Sequence, residues 1–182
     1  MSILDQWFLG DPIDLNGQDI LGWNFTMCKK YQTISRIMVN IKQSGRPLDY
    51  SLGGLSVPYI ESQLANKMLS IDPTAAQIFP VSINDFSKKY VIFNVLRALE
   101  IEHSDSEIDY YTPEDIKNDP ELAGSYHYVR KLVVNDKKVP TDAHIFRLKK
   151  FDVMLIVDDL MKSIMEMTSP QSGAKFTPLD VR

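Results

Sequence analysis

The sequence predicts an α+β fold, a mixed and largely antiparallel sheet with two or three packed helices. Three observations carry this. Several runs are rich in β-branched and aromatic residues, as strands require. Two stretches place apolar residues three or four positions apart, as helices packed on one side do. Residues 54–81 and 154–179 also share one strand–helix–strand frame, offset by 100 positions, which suggests an internal duplication.

From the N-terminus, residues 5–9 read as a short strand that stops at the turn signal Gly10-Asp11-Pro12. Residues 32–42 alternate and are rich in β-branched types, which predicts a strand closed by Gly45-Arg46-Pro47. The first repeated unit then begins after Gly53-Gly54, a pair that a turn explains. Its helix is expected from about Pro58 to Ser70, with proline in the first turn, Ile60, Leu64 and Met68 on one face, and Asp72-Pro73 as the stop. Its return strand is Gln77–Val81.

Two β-like stretches follow, 90–99 and 126–134, and then a shorter one at 144–148. Tyr90-Val91-Ile92-Phe93 is apolar at successive positions, which predicts a central strand buried on both faces. In the second unit Val153–Val157 is a strand, and Asp158 and Asp159 open a helix by favouring its exposed N–H groups. Leu160, Ile164 and Met167 should form its apolar face, Met68, Met161, Met165 and Met167 read as packing at helical spacing, and a return strand is expected over 174–179.

Composition narrows the class. With 182 residues, 44% hydrophobic and 24% charged, the chain is long enough to fold as one domain with an ordinary core. We divide that domain into N-terminal strands (1–46), the first unit with the central strand (47–100), an acidic loop segment (101–125), and strands with the second unit (126–182). A net charge of −4 gives no reason to expect direct nucleic-acid binding. The lone Cys28 excludes an internal disulfide and suits a reducing compartment, and three histidines are few for a zinc site. The apolar run at 153–157 is too short to span a bilayer, and the Asp-rich start does not read as a targeting segment. A cytoplasmic location is the expectation.

Charge is segregated along the chain. Residues 100–121 hold nine carboxylates against Lys117, a local net of −8. Residues 128–150 answer with Arg130, Lys131, Lys137, Lys138, Arg147, Lys149 and Lys150 against Asp136 and Asp142. A solvated loop and a partner-facing acidic surface both explain the acidic run. Calcium binding explains it less well, since 105–109 lacks the glycine and terminal glutamate of a regular loop.

Motifs for chemistry are scarce. There is no phosphate-cradling glycine loop, dinucleotide fingerprint or paired-histidine motif. Cys28 would be a nucleophile only if His103, His127 or His144 folded against it, and packing is the simpler reading. His127 and His144 read as cross-strand packing or surface residues. No cofactor or metal is implied.

The stretch Asp142-Ala143-His144-Ile145-Phe146-Arg147-Leu148, followed by Val153–Val157 and an acid-capped helix, resembles a bacterial family of immunity proteins. These are encoded beside polymorphic toxins and were formerly labelled a domain of unknown function (the immunity-protein-eleven family). Pro47-Leu48-Asp49-Tyr50 running into Leu55-Ser56-Val57, Phe79-Pro80-Val81 before Tyr90–Val95, and Trp7-Phe8-Leu9 with Asp11-Pro12 extend the likeness over most of the chain. Asp158 stands where relatives often carry serine, and Pro58 takes the matching place in the first unit.

The resemblance implies a non-enzymatic protein that binds and neutralises a cognate toxin, with no catalytic residue to carry over. The partner would be a toxin domain encoded by the upstream gene. Many toxins that act on nucleic acids have cationic clefts, so the acidic segment is the candidate contact surface. Its proposed residues are Glu102, Asp105, Glu107, Asp109, Glu114 and Asp115, with Tyr110 and Tyr111 as aromatic anchors. The competing readings are a small acid/base or metal-dependent hydrolase or transferase, and an adaptor subunit of a secretion or phage-derived assembly.

Overall fold

The computed structural model describes residues 5–32, 36–84, 86–167 and 172–182. Among the described residues, thirteen strands and three α-helices follow one another as β1 (Phe8–Ile13), β2 (Ile37–Gln43), β3 (Tyr50–Leu52), β4 (Pro58–Glu61), α1 (Ser62–Ile71), β5 (Ala76–Ile83), β6 (Tyr90–Val95) and β7 (Ala98–Leu99). Then come β8 (Glu107–Tyr110), α2 (Pro113–Asn118), β9 (Tyr126–Lys131), β10 (Val133–Val134), β11 (Ile145–Leu148), β12 (Phe151–Val157), α3 (Asp159–Met167) and β13 (Asp180–Val181). The expected α+β class holds. Residues 33–35 of the expected 32–42 strand lie outside the described residues.

Six strands form the main sheet in the order β1-β2-β5-β6-β4-β3, all antiparallel neighbours except the parallel pair β2 and β5. β6 is the predicted central strand, and every one of its residues is buried. Its side chains alternate between two cores, as the two-residue strand period demands. Tyr90 and Ile92 join Trp7, Phe25, Tyr59 and Phe79 on one face. Val91, Phe93 and Val95 join Leu64 and Met68 of α1 and Met161 and Met165 of α3 on the other.

A three-stranded sheet, β12-β11-β7, adds Ile145, Leu155 and Val157 to that second core. Ile145 of β11 faces the helices, whereas Phe146 and Leu148 face a third core with Tyr126, Val129 and Ile156. The ribbon β8–β9 and the parallel pair β10–β13 complete the molecule.

Several expectations change. β1 runs through Gly10-Asp11-Pro12, with irregular register around it, because its pairing to β2 continues to Ile13. Pro58–Glu61 is a strand, so the first helix starts four residues later than its spacing suggested. Tyr59 and Ile60 pair with Ile92 and Val91 of β6 and are buried on opposite faces, which outweighs any local helical preference. Pro58 is tolerated as the strand's first residue. Glu61 then caps α1, its carboxylate accepting from the N–H groups of Gln63 and Leu64 at 2.9 and 3.1 Å.

In the second unit the strand and the acidic cap are as expected, with Asp158 Oδ1 accepting from Met161 N at 2.8 Å. The helix face is not. Met161 and Met165 are buried, whereas Leu160 and Met167 are exposed, and only Ile164 of the expected stripe packs on the core. Residues 174–179 form no regular strand, so the second unit lacks the return strand that β5 gives the first. Nor is the acidic segment simply a loop: it contains β8 and α2.

Candidate functional site

Folding brings the segregated charges together. The antiparallel register of β8 and β9 sets Glu107 opposite Lys131 and Asp109 opposite Tyr128. Asp109 pairs with Arg130 at 2.8 Å, Asp105 with Arg182 at 2.8 Å, and Glu100 with Lys149 and Lys150 at 3.1 and 3.6 Å. The Lys149 contact holds the Glu100 carboxyl below its ordinary range. Three of the segment's nine carboxylates are therefore answered by cations within the chain.

The eight predicted residues take different positions. Glu102 is half-buried and accepts a 2.6 Å hydrogen bond from the Tyr126 hydroxyl. Burial of Tyr126, reinforced by that carboxylate, pushes the phenol well up. Asp115 closes a capping box on α2: its carboxylate accepts from Thr112 N at 2.9 Å and from the Thr112 hydroxyl at 2.6 Å, while Asp115 N donates back to Thr112 Oγ1. The Thr112 hydroxyl holds this carboxyl below its usual range. Glu102, Asp105, Asp109 and Asp115 thus already have partners within the chain.

Glu107 and Glu114 are exposed, and neither has an ion pair among the described residues. Tyr110 is 63% exposed and meets Tyr126 edge to face at 5.4 Å between ring centroids. Tyr111 is half-buried against His127 at 4.8 Å. Tyr128, 57% exposed, stands on the neighbouring strand and was not among the expected anchors. The Tyr126-His127-Tyr128 run was its only signal in sequence, and that run fits internal packing equally well. Tyr110 and Tyr128 are thus exposed on the two strands of the ribbon, with the Tyr111–His127 ring contact following in sequence, and aromatic residues are enriched at protein contacts.

Groups capable of catalysis do not converge here. Cys28 Sγ donates to the carbonyl of Arg97 at 3.5 Å, and burial pushes its thiol up to about 11, away from nucleophilic character. His144 Nδ1 lies 2.7 Å from Asp158 Oδ2, and this bond ties the start of β11 to the cap of α3. Among the described residues no cluster of three or more His, Cys, Asp or Glu could hold a metal ion. A cleft of about 530 Å³ between β3 and β12 is lined mainly by apolar groups, including Trp7, Leu48, Leu155 and Phe176. No helix among the described residues is long and apolar enough to cross a membrane.

Residues 11–181 match the immunity protein family Imm11. The chain belongs to that family. A search of the curated proteins finds no match. Membership in the Imm11 family agrees with the resemblance seen in sequence and places the chain in the context of polymorphic toxins.

Proposed function

We propose that this protein is a non-catalytic immunity protein that acts in the cytoplasm, where it binds one cognate toxin domain and keeps it inactive. The observation that carries this reading is the family match over residues 11–181. Neutralising a toxin that kills at low copy number requires binding in the nanomolar to picomolar range, about −12 to −16 kcal/mol. An interface of roughly 1,600 Å² reaches this when a few aromatic anchors are well packed.

The ribbon β8–β9 with α2 is the contact surface we favour. Exposed Tyr110 and Tyr128 would supply the anchors, and Glu107 and Glu114 the unanswered charge that steers a basic partner. The test is co-expression with the toxin domain encoded immediately upstream, followed by size-exclusion chromatography and binding kinetics. Survival with one-to-one co-elution is the expected result. Tyr110→Ala combined with Glu107→Lys and Glu114→Lys should weaken binding at least tenfold and slow association at low salt. Unchanged affinity in a folded triple variant would move the contact surface elsewhere, and cell death without a complex would remove the toxin reading.

A further inference from the structure

The cleft between β3 and β12 lies between two sheet edges. β3 ends the six-stranded sheet and β12 ends the three-stranded one. An edge strand carries backbone donors and acceptors that no neighbour uses. The hydrogen bonds around β11 show which residues of β12 carry them. Arg147 N donates to the Arg97 carbonyl at 2.9 Å, away from β12, so its partner Leu155 turns its own N–H and C=O outward. Asp158 N donates to the His144 carbonyl at 3.2 Å, toward β11, so the preceding Val157 also faces outward. Neither residue finds a partner for these groups among the described residues.

The opposite edge is already half used. Tyr50 N donates to the Ser172 carbonyl at 2.8 Å, so the chain's own backbone begins to extend β3. It leaves after that one bond. Gly173 takes a φ of 75° at a place where a β-carbon would collide with the Tyr50 carbonyl, and Ala174 and Phe176 then pack on the second core. Leu52 N–H, two residues on from Tyr50, points the same way and has no partner among the described residues.

The lining suits an apolar strand. Val153, Leu155 and Val157 fall on one face of β12 and all line the cleft. Three lining residues are open to solvent: Phe8 is 50% exposed, Leu52 45% and Val153 53%. Lys175 is the one charged residue of the lining, exposed and without an ion pair among the described residues. Asp49 and Asp152, beside lining residues in sequence, do not answer it: Asp49 is held by Lys88, and Asp152 feels Arg147 and Lys29. Asp5 and Lys42, beside Gln6 and Gln43 of the lining, are of opposite sign. Lys162 stands 5.9 Å over the Phe176 ring, with Glu166 at 4.0 Å.

We infer that this cleft takes one extended segment of the toxin, added as a strand along β12. Its backbone bonds to Leu155 and Val157, its apolar side chains sit on the lining, and a carboxylate meets Lys175. The open edges decide the occupant, because only an extended backbone offers a matching row of donors and acceptors. In strand addition the main chain supplies affinity, and the seats for alternate side chains supply selectivity. The inference rests on the toxin-binding reading but not on the ribbon as the contact surface.

Amide hydrogen exchange reads the pairing directly, on the full chain alone and with the upstream-encoded toxin domain. The Leu155 and Val157 amides should exchange quickly in the free chain and at least tenfold more slowly in the complex. Leu52→Asp and Val153→Asp, both at exposed side chains, should keep the thermal midpoint near wild type and weaken binding at least tenfold. Lys175→Glu should weaken it most at low salt. A complex that leaves both amides unprotected, or wild-type affinity in both folded aspartate variants, would overturn the inference and leave the toxin reading standing. Protection that appears in the free chain as its concentration rises, together with a dimer, would assign the edge to a second copy instead. No complex with the wild-type chain would overturn both.

Discussion

Arg147 reaches Ser56 across 91 positions of chain, its Nη2 donating to the Ser56 carbonyl at 3.3 Å. The same guanidinium donates to the Asp152 carbonyl, so one buried cation joins β11, the bulged start of β12 and the turn that follows β3. A guanidinium offers five N–H donors in a fixed fork, which suits it to bridging separate carbonyls.

Replacing Arg147 with methionine keeps much of its length but leaves both carbonyls without this donor. Each buried unsatisfied carbonyl costs about 1–3 kcal/mol, so Arg147→Met should destabilise the protein by about 3 kcal/mol. Urea denaturation followed by tryptophan fluorescence measures this directly. A change below 1 kcal/mol would mean that the strap is dispensable.

The observed face of α3 makes a second prediction. Met161 has no exposed surface and Met167 is 84% exposed. Met161→Ala should therefore cost about 2–5 kcal/mol through lost burial and the cavity left behind. Met167→Ala should stay within about 0.5 kcal/mol of wild type. The stripe expected from sequence would bury Met167 as well, so a thermal melt of Met167→Ala near wild type tells against that assignment.

Cys28 supplies a pH-dependent test. Burial pushes its thiol up from 9.0 to about 11, so the folded chain holds about 100-fold less thiolate near pH 8 than the unfolded chain. Labelling by a disulfide reagent should be slower by about that factor and should reach the ordinary rate in urea. The sign for stability follows. Between pH 9.0 and 11 the unfolded thiol loses its proton before the folded one, so this group's contribution to stability declines as pH rises through that window.

The Asp109–Arg130 pair should contribute little to folding. Its side chains are 40% and 63% exposed, and exposed pairs are typically worth less than about 1 kcal/mol. A double-mutant cycle with Asp109→Asn and Arg130→Gln should give a coupling in that range, smaller still in 1 M salt. A coupling above 2 kcal/mol would show that the ribbon depends on this bridge.

Local and periodic features were legible in the sequence. The doubly buried β6 showed as successive apolar residues, the Asp158 cap as a carboxylate at a helix start, and the family as signatures spread along the chain. The candidate site was only half legible. Composition located the acidic segment and Tyr110, but it could not show that Asp105 and Asp109 find their countercharges in Arg182 and Arg130.

By itself, then, the sequence determined the fold class, the central strand and the family, because these depend on the spacing of neighbouring residues. Only the tertiary structure decided that Pro58–Glu61 joins a sheet, that Met161 rather than Met167 faces inward, and that Arg147 is buried beneath a strained turn. Each of those outcomes is set by a partner distant in the chain: β6 for the strand, α1 for the helix face, Ser56 for the arginine. Local propensity differs between states by only tenths of a kcal/mol per residue, and burial against a distant partner outweighs it.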